Sequence, residues 1–181
     1  MLKKILIGFG VLFLIAAGFI AYTFLTTRSH SPQDIAELNI GDGSIKVVYC
    51  QPYKKGRVIF DDESTDALQP YGKYWRLGAN EATEITFSND VNFAGKPVSA
   101  GSYRMYVVPN EDSWEVSLNS QLGEWGYSEP DYSLDVLKIT VPVQITSEET
   151  EQLTINFDGN PEESLMNIKW DKVLVSVPIT K

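Results

Sequence analysis

The densest gathering of groups able to do chemistry lies between Pro70 and Phe87, PYGKYWRLGANEATEITF. Tyr71, Trp75, Arg76, Asn80 and Glu81 crowd a turn-rich passage broken by Gly72 and Gly78, which then resolves into the alternating Thr83, Glu84, Ile85, Thr86 and Phe87. That is the pattern of a loop delivering polar groups onto the start of a strand. A guanidinium grips a carboxylate or sugar hydroxyls through its planar fork, so Arg76, with Arg57 upstream, is a candidate anchor for a polar ligand. Asn80 and Glu81 would add hydrogen bonds, and Tyr71, Trp75 and Trp125 flat apolar walls. The competing reading is internal stitching: Arg76 paired with Glu81 or Glu84, Asn80 satisfying loop backbone, and the tryptophans plugging the end of the fold.

Several chemistries are closed by what is missing. His30 is the only histidine and stands apart, in a polar stretch expected to be a tether, so the domain is expected to build neither a histidine-based triad nor a histidine-ligated metal site. Cys50 is the only cysteine and closes no internal disulfide; at a strand end it reads as a small buried apolar residue. No GxGxxG or GxxxxGK[ST] loop occurs, and no cofactor is implied. The acids of Asp61 to Leu68 match no calcium-loop spacing and read as a solvated surface loop. What remains for catalysis is a carboxylate pair, Glu81 or Glu84 with a second acid about 5 to 10 Å away across a cleft.

The elements that position these residues are short strands. Gly41 to Ser44 separates two arms, Ile35–Ile40 and Ile45–Cys50, with Ile45, Val47 and Tyr49 on one face. Arg57–Phe60 reads as a short strand, Val91–Phe93 follows a turn, and Ser102–Val108 alternates Tyr103, Met105 and Val107 with Arg104, Tyr106 and Val108. Trp114, Val116 and Leu118 mark another strand. Then Ser120 to Ser133 runs without period through two glycines and three aromatics, a loop long enough to be functional. Val136–Val143, Leu153–Phe157, Leu165–Trp170 and Val173–Ile179 follow, with an exposed acidic bend at Ser147–Glu151 and a tight link at Asp171 and Lys172. About ten strands and no long amphipathic helix predict an all-β domain: an antiparallel β-sandwich, jelly-roll-like or a partly closed barrel.

That domain has an address. From Ile5 to Leu25 the chain carries no charge, and Lys3 and Lys4 precede the run. At about 1.5 Å per residue it reaches roughly 31 Å, enough to cross a hydrocarbon layer of about 30 Å once, with the amino terminus in the cytoplasm. The alternative is a cleaved secretion signal, against which stand the length of the run and the poor cleavage pair Ala21 and Thr23. The division expected is an anchor over 1–25, a polar tether over 26–33 and an extracytoplasmic domain over 34–181. The whole chain has a formal charge of −9, and losing Lys3 and Lys4 with the anchor makes that −11. So acidic a body is a poor partner for nucleic acid and is not expected to lie on anionic lipid.

YCQPYKKGRVIF (Tyr49 to Phe60), the Pro70 to Phe87 block, SAGSYRMYVVP (Ser99 to Pro109), the W-x-V-x-L-N of Trp114 to Asn119 and the Trp125-Gly126 pair resemble the bacterial family catalogued as domain of unknown function 2911. The likeness runs from about Ser31 to the carboxyl terminus. Two departures are a longer acidic loop before Pro70 and Cys50 in place of an expected serine or glycine. The resemblance implies an envelope protein of β architecture and transfers no activity. The leading expectation is therefore a non-catalytic module held at the outer face of a bacterial inner membrane, in the periplasm, binding a glycan, a peptide or an envelope protein. A carboxylate-dependent glycan hydrolase and a structural subunit of an envelope assembly are the alternatives.

Overall fold

A computed structural model describes residues 2–160 and 163–181. Helix α1 spans Leu2–His30, longer than the apolar run. The polar stretch expected as a tether is thus helical through His30. The hydroxyls of Thr26, Thr27 and Ser29 donate to carbonyls of the preceding turn, at 2.8, 2.7 and 2.6 Å, which satisfies these polar groups within the helix. Pro32 ends it, because the residue before a proline is pushed out of the helical region. From Gly8 onward the helix is long and apolar enough to cross a membrane.

Eleven strands follow among the described residues: β1 Gln33–Ile40, β2 Gly43–Cys50, β3 Phe60–Asp61, β4 Gln69–Pro70, β5 Thr83–Phe87, β6 Val91–Phe93, β7 Lys96–Val98, β8 Gly101–Pro109, β9 Ser113–Asn119, β10 Asp135–Gly159 and β11 Glu163–Thr180. Nine form one antiparallel sheet in the order β1-β2-β5-β8-β9-β10-β11-β6-β7, and β3 and β4 make a small parallel pair. The expected antiparallel architecture behind one apolar helix is present, and the sheet is not closed into a barrel.

Strand β10 makes the fold. Its first part, Asp135 to Pro142, pairs with β9, and from Val143 to Gly159 it pairs with β11. The four late strands expected from the sequence are therefore two long bent ones. Ser147–Glu151 lies in a bulge where β10 advances from Ile145 to Thr150 while β11 advances only from Val173 to Asp171. Asp171, at φ 55°, kinks β11 instead of ending it. Arg57–Phe60 shrinks to a strand at Phe60–Asp61, because Lys55 and Gly56 adopt positive φ and the Arg57 guanidinium folds back on the carbonyls of Tyr53 and Lys54.

Period-two burial fills one core between the folded halves. Ile45 and Val47 of β2, Ile85 of β5 and Met105 and Val107 of β8 meet Met166, Ile168 and Val177 of β11. At one end Phe60, Trp75, Trp114 and Trp170 form an aromatic box with ring centroids 5.0 to 6.0 Å apart. Tyr49 clasps the two halves: its hydroxyl accepts the Ile155 N–H at 2.9 Å and lies 3.2 Å from Asp34 Oδ2.

Burial, with the Asp34 carboxylate nearby, pushes the Tyr49 phenol up to about 12, and burial does the same for Tyr106. The folded chain holds these protons where an unfolded tyrosine, near 10, has lost them. Their contribution is complete below pH 10 and lost as pH rises toward 12. Thermal unfolding followed by circular dichroism should give a Tm level to about pH 10 and falling above it. Tyr49→Phe should lower Tm throughout, by leaving the Ile155 N–H unpaired at a cost of about 1 to 3 kcal/mol, and flatten the alkaline fall.

Candidate functional site

The passage from Gly72 to Ala82 is shaped by its pairing with β8. Gly72 N–H bonds Pro109 O at 2.8 Å, and Trp75 exchanges both backbone bonds with Val107 at 2.8 and 2.9 Å, so this segment continues along β8 where β5 stops. The alternation of an extended chain then sends Trp75 into the aromatic box and Tyr74 and Arg76 to the opposite face. The Trp75 indole N–H donates to Gly78 O at 3.1 Å and Thr83 Oγ1 to Leu77 O at 2.8 Å, closing the loop. Leu77 and Asn80 sit at φ 56° and 59°, and Gly78 at φ 154°. A Cβ on Gly78 would stand 2.8 Å from Cys50 O, so glycine is required by both conformation and space.

Over this loop opens a cavity of about 400 Å³, lined from separate parts of the chain by Lys55, Arg57, Arg76, His30 and Ser31, together with Trp170. None of its lining residues is acidic. Arg76 donates to Asn80 O at 3.1 Å and lies 6.0 Å over the Tyr127 ring. Burial, together with the nearby Arg104 charge, pulls its pKa below the usual guanidinium value. No carboxylate pairs with it among the described residues.

Of the residues singled out by sequence, Arg57 and Arg76 meet at this cavity, and Tyr71, Trp75, Asn80, Glu81 and Trp125 are not in its lining. Trp75 is a core residue and no wall, since its register with Val107 turns the indole inward. Tyr71 is half-buried near the acidic loop, its N–H on Asp61 O at 3.0 Å and its phenol pushed up by burial. The expected pairing of Arg76 with Glu81 or Glu84 does not form. Glu81 instead meets Arg28 at 2.6 Å and accepts from the Cys50 thiol at 3.4 Å, while Glu84 accepts the Gly123 N–H at 2.9 Å. Asn80 does stitch backbone: its side chain donates to Ser31 O at 3.3 Å. Burial, with the Glu81 hydrogen bond, raises the Cys50 thiol, which is the inert small residue expected. His30, expected in a spacer away from the domain, instead borders the cavity, because the helix continues to it.

Sequence reasoning missed Lys55, Tyr74 and Arg104. Arg104 alternates outward from the core, yet is 1% exposed because the loop after β9 lies over it. Its Nη2 donates to Tyr74 Oη and Ser128 O, and its Nε and Nη1 have no partner among the described residues. Tyr74 Oη donates to Gly126 O at 2.9 Å, and Glu81 forms a bridge with Trp125, so the loop is sewn down on both sides. The length and aromatic content of the loop were the available signal. Glu81, Glu84 and Glu124 line a second cavity of about 230 Å³, and no group of metal-ligating side chains converges among the described residues.

The chain belongs to the family described as protein of unknown function (DUF2911), whose profile matches residues 31–179. No curated protein and no solved structure matches it. The fully buried tryptophans and the exposed one should therefore separate cleanly. Trp75→Ala should lose about 3 to 5 kcal/mol in chemical unfolding and Trp125→Ala less than about 0.5. Gly126→Ala, whose Cβ would stand 2.6 Å from Arg76 Cδ and 3.0 Å from Ala82 N, should disturb the cavity wall without opening the core.

Proposed function

We propose that this member of the family is a membrane-anchored binding protein, its helix retained in a bacterial inner membrane and its β domain on the far side, and that the cavity beside the helix end binds a small anionic group without transforming it. The observation that carries the reading is one of charge. In a chain of net charge −9, Lys55, Arg57 and Arg76 share a cavity whose lining holds no Asp or Glu. Arg76 is half-buried and has no carboxylate partner among the described residues, and the exposed Lys55 and Arg57 flank it, so the group is poised to accept an acid from outside, each charge-assisted hydrogen bond being worth about 1.5 to 3 kcal/mol. A volume near 400 Å³ suits a small ligand or the end of a larger one, such as a uronate of a glycan or a carboxylate of a peptide.

The hydrolytic alternative draws less support. Glu81 and Glu84 share the second cavity, but the first is held by Arg28 and the Cys50 thiol and the second by the Gly123 N–H. These are the contacts of residues that fasten a helix end and a loop.

The test is calorimetric titration of the full chain in detergent with inorganic phosphate, acetate, glucuronate and neutral glucose. Anions should bind and glucose should not, and Arg76→Gln should weaken anion binding about 10- to 100-fold. Glucose binding as well as glucuronate, or an Arg76→Gln variant of undiminished affinity, would remove the site.

A further inference from the structure

We infer that the anionic group taken by this cavity is the phosphate of an anionic membrane lipid, drawn from the leaflet in which α1 ends. The inference rests on the anion-binding reading above and adds its source. The uncharged run of α1 stops at Leu25, and Thr26–His30 carry the helix on by five residues, about 7.5 Å. A bilayer about 40 to 45 Å thick around a hydrocarbon core of about 30 Å has headgroup layers of roughly 5 to 8 Å. His30 and Ser31, which line the cavity, therefore stand at the outer edge of the headgroup layer, within side-chain reach of the lipid phosphates.

The cavity is held there. Only Ser31 and Pro32 separate α1 from β1, and three contacts fasten the junction: Arg28 Nη2 on Glu81 Oε1 at 2.6 Å, Asn80 Nδ2 on Ser31 O at 3.3 Å, and Gln51 N–H on Pro32 O at 2.8 Å. A domain on a loose tether could present any face to the bilayer. This one presents the face that carries the helix end.

That face differs from the rest of the surface. The net charge argues against lying on anionic lipid, but charge acts within a Debye length, about 8 Å at physiological salt, and the cavity lining carries Lys55, Arg57 and Arg76 with no acid. The acids beside it are already engaged, Glu151 by the Lys55 N–H and Glu149 and Asp171 by Lys54. Beside them the loop tip shows Trp125 and Tyr127, 46% and 78% exposed, joined through the Glu81 bridge to the residue that grips Arg28. Trp and Tyr concentrate at the membrane–water boundary, where an apolar ring with a polar edge is best solvated. Trp75, Trp114 and Trp170 are all buried, Trp170 lining the cavity where only the headgroup would reach it, so Trp125 is the single exposed tryptophan and the one placed to meet acyl chains.

The experiment uses the full chain in nanodiscs of mixed phosphatidylglycerol and phosphatidylcholine. Native mass spectrometry after mild release should show one retained phosphatidylglycerol per chain, and Arg57→Gln combined with Arg76→Gln should cut retention at least tenfold. Lys55→Gln with Arg57→Gln, both exposed, serves as a second variant should the buried change impair folding; it too should reduce retention. Brominated phosphatidylglycerol should quench the tryptophan emission in wild type and leave Trp125→Phe unquenched. Retention unchanged in both double variants would overturn the inference, since the lipid would then be held by the helix alone. So would loss of all lipid from a wild-type chain that still binds inorganic phosphate in detergent, a result that leaves the anion site standing. Failure of both lipid and inorganic phosphate to bind would end both readings.

Discussion

Trp75 is fixed from two directions at once, and the site hangs from it. Its backbone completes the edge of β8 opposite Val107, and its indole fills the box made by Phe60, Trp114 and Trp170 while donating to Gly78 O. Aromatic pairs at these separations add about 0.5 to 1.5 kcal/mol each beyond the area they bury, so the segment is stiff where it leaves the core. Stiffness there settles everything one residue either side. Tyr74 must point outward, where it meets Arg104 and Gly126, and Arg76 must follow it to the same face. Gly78 can then pass close against Cys50 O, and the loop returns to β5 with its polar groups already aimed.

The second organising fact is electrostatic. Arg104 is buried and Arg76 half-buried, near enough for the charge of one to lower the pKa of the other, and neither has a carboxylate among the described residues. Taking a guanidinium out of water without a counter-charge costs several kcal/mol unless other acceptors serve it. Here backbone carbonyls of Asn80 and Ser128, the Tyr74 hydroxyl and the faces of Tyr74 and Tyr127 do part of that work. Acids of the surrounding elements are occupied elsewhere: Glu81 by Arg28, Glu84 by Gly123, Glu129 by Tyr132 and Asp135 by Tyr106 and Asn119. An acidic chain has thus kept its carboxylates off its two most desolvated arginines, of which Arg76 lines the cavity and Arg104 is sealed beneath the loop.

What the sequence made legible was whatever repeats locally. The inward set Ile45, Val47 and Tyr49, the alternation through β8 and β9 and the uncharged run of α1 all follow from periods of two or from length. Cover was not legible. Arg104 occupies an outward position by every local rule and is buried only because a loop 16 or more residues downstream settles on it. The same holds for Trp75, where loop-like neighbours concealed a strand pairing made after β5 has left the edge of β8. Bends within a strand were also hidden: a bulge at Ser147–Glu151 and a kink at Asp171 carry turn-like residues without ending the ladder. Of the proposed site, Arg57 and Arg76 were legible from residue type, and Lys55 and His30 were not, since the positive-φ turn at Lys55 and Gly56 sets Lys55 beside Arg57 and the continuation of α1 brings His30.

The junction between helix and domain explains why these features belong together. The helix runs on to His30 through a hydroxyl-rich last turn whose side chains bond preceding carbonyls, and only Ser31 and Pro32 separate it from β1, so the helix end and the sheet are close neighbours. Arg28 and His30 in its last turn also suit the negative end of the helix dipole, and Arg28 then spends its charge on Glu81. Glu81 is thereby removed from Arg76, whose guanidinium is left to the cavity. One exposed ion pair at the exit of the helix accordingly does two things: together with the Asn80–Ser31 and Gln51–Pro32 bonds it joins the helix end to the sheet, and it occupies the carboxylate that Arg76 lacks.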